Sequence, residues 1–153
     1  MNLDSKVILA FDFGLKHIGV AIGQEITNTA QTFFSLEAKN GEPNWNQLDP
    51  LVKEWNPKLL IVGNPLNMDG SDSEIKKKSD KFSDLINKRY NIPVELMDER
   101  LTTREAEDRL KAEEDNSAPS GRDTHQIAAQ IILENWFSEN RYCLLYTSDA
   151  ADE

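Results

Sequence analysis

The stretch VILAFDFGLKHIGVAIGQ, residues 7–24, constrains the fold more than any other part of the chain. Val7, Ile8, Leu9, Ala10 and Phe11 form an apolar run that ends on Asp12; Gly14 then permits a turn, and a second apolar strand returns over residues 18–22. The first strand is buried and its acid sits where the core opens to solvent. A carboxylate at the end of a buried strand is costly unless it is paired, hydrogen-bonded or bound to a cation, which makes Asp12 the first candidate for chemistry. The competing structural reading is a turn former, since Asp favours turns and Gly14 supplies a permissive backbone.

With 39% hydrophobic and 29% charged residues, the 153-residue chain has the composition of a globular domain large enough to bury a core. Its apolar runs are far shorter than a membrane span and no leader pattern opens the chain, so no membrane association and a cytoplasmic location are expected. Residues 143–153, CLLYTSDAADE, resemble the in-frame translation of a transposase-type sequencing adapter and are set aside, leaving one expected domain over residues 1–142. That removes the single cysteine, and with it disulfide frameworks and cysteine catalysis. It also removes Asp149, Asp152 and Glu153, so the net charge moves from −10 to −7. A chain that acidic is no generic nucleic-acid coat; any polyanion it binds is held at a local site.

Taken in order, residues 32–36 read as a third short strand, antiparallel to the second, and residues 39–46 as a loop. Leu48, Leu51, Val52 and Trp55 recur at helical spacing, with Asp49 as a possible N-cap. Residues 59–62 are a buried strand feeding a loop over 64–72, and a polar helix follows over 73–89 with Ile75, Phe82, Leu85 and Ile86 inward. Residues 94–98 form a strand; Thr102 and Glu105 make a capping-box pattern for a helix over 102–113; residues 115–121 are loop, and a last helix spans 124–140. The fold expected is α/β, a mixed five-stranded sheet of three antiparallel strands followed by parallel ones, with helices on both faces. Such sheets carry sites beyond the carboxyl ends of their strands, where Asp12, the 64–72 loop and Asp98-Glu99 emerge together.

Glu99 alone reads as a charge flanking a strand, with Arg100 or Arg104 as its pairing candidates; its convergence with Asp12 raises its standing. On a helical wheel His125 aligns with Ala128, Ala129, Ile132 and Trp136, so it points inward from the first turn of the last helix. A histidine in that position is commonly a satisfied core residue. Asp123 points away and suits an N-cap, with Gln126 reciprocal. Asp12, Glu99 and His125 outline a hard-cation site for Mg²⁺ or Mn²⁺, with two ions about 4 Å apart in the commonest form of this chemistry. The imidazole tilts the choice toward Mn²⁺ or serves as a general base. Lys76, Lys77, Lys78, Lys81, Lys88 and Arg89 cluster on one helix, but Glu74, Asp80 and Asp84 interleave with them, as on a solvated face. Arg100, Arg104 and Arg122 are the better phosphate candidates.

The segments FDFGLKHIGVAIG, IVGNPLNMDGS, DERLTTREAE and AAQIILENW, in that order, resemble the YqgF family of pre-16S rRNA nucleases, also described as Holliday junction resolvases. The resemblance covers residues 7–136. It implies an RNase H-like fold, a metal-dependent phosphodiesterase that matures the 5′ end of 16S rRNA, and Asp12 and Glu99 as catalytic acids. The family's usual third acid, counted back from Ile131-Ile132-Leu133, falls on His125, where this chain departs from the pattern. His125 is therefore read as a variant metal ligand or proton carrier, with Asp123 as the weaker candidate. Asn64, Asn67, Arg100, Arg104 and Arg122 are the expected substrate contacts. Precursor rRNA or branched DNA is the expected partner of a monomer or homodimer; a non-catalytic RNA-binding assembly module is the rival from another class.

Overall fold

In the computed structural model, which describes residues 6–64, 74–98 and 124–151, six strands form one sheet. In chain order the elements are β1 (Val7–Asp12), β2 (His17–Gln24), β3 (Thr29–Lys39), β4 (Glu42–Pro43), α1 (Trp45–Trp55), β5 (Leu59–Asn64), α2 (Glu74–Tyr90), β6 (Val94–Asp98) and α3 (Thr124–Ala151). The sheet order is β4-β3-β2-β1-β5-β6. Strands β1 to β4 pair antiparallel, whereas β5 and β6 join β1 in parallel. The expected mixed sheet is thus present with one strand more than anticipated.

That extra strand, β4, lies within the segment read as loop. Asn40 and Gly41 both have positive φ (55° and 89°), the conformation an Asn-Gly pair adopts in a tight hairpin turn. Pro43 is tolerated because β4 is an edge strand. Strand β3 is also longer than expected, and a bulge at Phe33 shifts its register against β2 between Val20 and Ala21.

Strand alternation distributes the core between two faces. Leu9, Phe11, Ile18, Val20, Leu60 and Val62 point to the side covered by α1 and α2, where Leu48, Val52, Phe82 and Ile86 complete a cluster. Ile8, Ala10, Ala21, Leu59 and Ile61 point to the other side, where α3 contributes Ala129, Ile132, Leu133, Trp136 and Phe137 at helical spacing. Trp136 Nε1 donates to Glu95 Oε2 of β6 at 2.5 Å, anchoring α3 across the sheet. Leu85, expected inward, is 38% exposed; the inner face of α2 is built instead on Ser79, Phe82, Ser83 and Ile86. Helix α3 continues to Ala151 instead of stopping near Asn140, and no Gly or Pro interrupts the chain after Gly121 to break it.

The cap of α1 is Asn44, whose side chain accepts from the Asn46 amide at 3.0 Å, not Asp49. Asp49 lies inside the helix and accepts from Arg89 Nε and Nη2 at 2.8 and 2.6 Å and from the Tyr90 hydroxyl at 2.5 Å, joining α1 to α2. The Arg89 hydrogen bonds, reinforced by Tyr90, hold the Asp49 carboxyl at about 2, below its ordinary 3.8. A depressed carboxyl contributes stability that is complete above its unfolded value and is lost as pH falls through the folded one. The Asp49→Asn variant is therefore expected to be less stable than the parent at pH 6, with the difference fading between about pH 4 and 2. Because both side chains are about two-fifths exposed, the effect is small. Denaturation midpoints at pH 6 and pH 2 test it; an equal gap at both contradicts it.

Candidate active site

Asp12 belongs to the face of β1 that carries Ile8 and Ala10, so period-two alternation aims its carboxylate toward α3. Its neighbours in register are Gly19 on β2 and Gly63 on β5. Neither flanking strand therefore supplies a side chain beside the carboxylate, and Asp12 stands in a slot between two glycines. One residue of α3 meets it there: His125 Nδ1 lies 2.7 Å from Asp12 Oδ2. The Asp12 side chain is 7% exposed and that of His125 41%, so the ring covers the acid while keeping an edge open to solvent.

The close approach of α3 depends on Gly19. A Cβ there would stand 2.0 Å from the His125 carbonyl oxygen, 2.2 Å from its carbon and 2.6 Å from the Gln126 nitrogen. These are backbone atoms, so the helix seats directly on the bare strand. Four residues on, a Cβ on Gly23 would meet Leu133 Cδ2 at 2.7 Å and the Phe137 ring at 2.9 Å. Along β2 the small residues Gly19, Ala21 and Gly23 alternate with Ile18, Val20 and Ile22, making one face a groove for α3 and the other a core surface. This alternation was the available signal for the positioning role of Gly19; Gly63, on β5, carried none.

Strands β1, β5 and β6 are parallel, and the registers Asp12↔Gly63 and Asn64↔Asp98 bring their carboxyl ends to one edge. Asn64 closes β5 at that edge. Glu99, Asn67, Arg100, Arg104, Arg122, Asp123 and the helix expected over 102–113 lie outside the described residues. Of the predicted site residues, the structure joins Asp12 with His125. Among the described residues no group of three or more His, Cys, Asp and Glu forms a metal cluster.

The pair itself suits a hard cation. Two cis ligands of an octahedral ion at about 2.1 Å stand roughly 3 Å apart, close to the observed 2.7 Å. Without an ion, an Nδ1–H donating to Oδ2 fixes the tautomer in which Nε2 is the unprotonated, basic nitrogen of the ring. The same two side chains thus accommodate either a shared cation or a carboxylate-oriented imidazole base.

The architecture recurs in a solved structure. The structure of Thermus thermophilus RuvC in complex with a Holliday junction substrate superposes with a TM-score of 0.54 at 16% identity, covering 88% of this chain and 95% of that one. The likeness is one of fold. The family model described as "RuvX: Holliday junction resolvase" matches residues 6–139, and the chain belongs to that family, which places it among the nucleases. A Saccharophagus degradans protein named "Putative pre-16S rRNA nuclease" is 47% identical over 139 residues, covering 90% of this chain and 97% of the relative. A Buchnera aphidicola protein of the same name is 46% identical over 136 residues, covering 89% and 99%. No helix among the described residues is long and apolar enough to cross a membrane.

Proposed function

We propose that this protein is a divalent-metal-dependent endonuclease that hydrolyses a phosphodiester of precursor 16S rRNA in maturing its 5′ end, in the cytoplasm. The Asp12–His125 contact at the carboxyl end of the central strand carries the reading. Asp12 and His125 would hold Mg²⁺ or Mn²⁺ together with Glu99, which directly follows the last residue of β6. A bound ion supplies charge stabilisation at a phosphoryl oxygen and acidifies a water.

The chain's own residues do the remaining work. Where His125 serves as base instead of ligand, Asp12, fixed between Gly19 and Gly63, orients the imidazole through Nδ1–H, and Nε2 takes a proton from the attacking water. Asp123 is the alternative third group should His125 act only as base. Asn64, Asn67, Arg100, Arg104 and Arg122 would contact the substrate beside the scissile phosphate.

The name carried by the relatives favours precursor rRNA. The description of the family model favours a second reading, cleavage of branched DNA by a dimer using the same site. Incubation with precursor 16S rRNA and with a four-way DNA junction, each with Mn²⁺ or with EDTA, separates them. Mn²⁺-dependent cutting near the mature 5′ end is expected; paired symmetric nicks in the junction alone would favour the second reading. Cutting that survives EDTA, or no cutting of either substrate, would overturn the assignment.

A further inference from the structure

A groove of about 440 Å³ opens between the β3–β4 turn and α2, on the face of the sheet opposite α3. Lys39 on one wall and Lys78 and Lys81 on the other face it, with Glu42 as its one carboxylate. Three other cations of the described residues are committed to acids: Lys58 to Glu25, Lys88 to Asp84 and Arg89 to Asp49. Lys39, Lys78 and Lys81 have no carboxylate partner among the described residues. Lys78 donates to the Asn40 side-chain oxygen at 2.5 Å, a neutral partner that fixes the ammonium without cancelling its charge. Leu85, 38% exposed, adds an apolar edge. In a chain with net charge −10, this is a local concentration of uncompensated positive charge.

The groove is built onto the loop that follows Asp12. Phe13, the next residue, packs on Phe82 of the groove floor with ring centroids 5.5 Å apart. The Gly41 amide donates to the Leu15 carbonyl at 3.0 Å. Leu15 is three residues from Asp12, so their Cα atoms lie within about 11 Å of each other, and the groove rim at Gly41 is one hydrogen bond further on. A strand that passes over the carboxyl end of β1, from the α3 face to the α2 face, would meet both.

We infer that this groove holds the phosphodiester backbone of single-stranded RNA a few nucleotides from the cut, with Lys39, Lys78 and Lys81 on successive phosphates. The inference rests on the nuclease reading for what lies at Asp12, but its binding test needs no cleavage. The lysines make charge contacts with the backbone and carry no base readout, so single-stranded DNA of the same sequence is held by the same contacts.

The test measures binding of labelled single-stranded RNA and DNA by fluorescence anisotropy, in EDTA and over a salt series, for the full chain and for variants carrying Lys39→Gln, Lys78→Gln and Lys81→Gln singly and together. The triple Gln variant is expected to bind at least about tenfold more weakly and to lose about 2 from the slope of log K against log salt, at roughly 0.7 per phosphate contact. Each single variant loses a share, and the corresponding triple Arg variant restores both values. Unchanged affinity and slope in the triple Gln variant would overturn the inference even if the parent cuts RNA. Slope loss in a parent that cuts nothing with Mn²⁺ would support the groove and overturn the nuclease reading. Loss of affinity for RNA alone would overturn the backbone assignment.

Discussion

Replacement of Asp12 by Asn is expected to lower the single-turnover rate of RNA cleavage by about 10³-fold while leaving the fold intact. The substitution keeps the shape of the side chain and leaves an oxygen to accept from His125. What it removes is the charge that holds a cation and orients the imidazole toward a proton. A buried carboxylate is an expensive group to keep, and a neutral isostere in the same slot is close to neutral for stability, within about 1 kcal/mol. The informative result is the combination of an unchanged or raised melting temperature with lost cleavage. A rate within about threefold of the parent would remove Asp12 from the chemistry.

The second large effect is expected at a residue that bears no functional group. In Gly19→Ala the new methyl would stand 2.0 Å from the His125 carbonyl oxygen, so the start of α3 must lift from β2. The Asp12–His125 contact of 2.7 Å leaves little room for such a movement. Displacements near 1 Å at a reacting centre cost about 10²-fold in rate, and forced repacking adds about 1–3 kcal/mol of destabilisation. Gly23→Ala is the matched control. Its methyl meets the outer ends of Leu133 and Phe137, which rotate more readily than backbone moves. Comparable stability losses with a far larger rate loss for Gly19→Ala are expected from rate and denaturation measurements on both variants. Equal rates would contradict a positioning role for Gly19.

Much of this arrangement was legible in the residues, for identifiable reasons. The apolar run before Asp12 read as a buried strand that delivers the acid to its end. The 3.6-residue spacing of Ala129, Ile132 and Trp136 put His125 on the stripe that packs against the sheet. What was missed depends on partners distant in the chain. Asp49 looked like a cap until α2 brought Arg89 against it, 40 residues away. Leu85 matched the apolar period of α2, but Ser79 and Ser83 are buried on its inner face beside Phe82 and Ile86. Asn40-Gly41 carried a hairpin signal that the surrounding polar residues obscured. Gly19 and Gly63 act through the absence of a side chain, and their effect becomes visible only once the register places both beside Asp12.

We propose that Asp12 and His125 together form the cation site of the nuclease. Calorimetric titration of the full chain with Mn²⁺, compared with Asp12→Asn and His125→Ala, tests it most directly. Saturable binding by the parent and at least about a tenfold loss of affinity in each variant are expected. Binding by both variants with the affinity of the parent would contradict it.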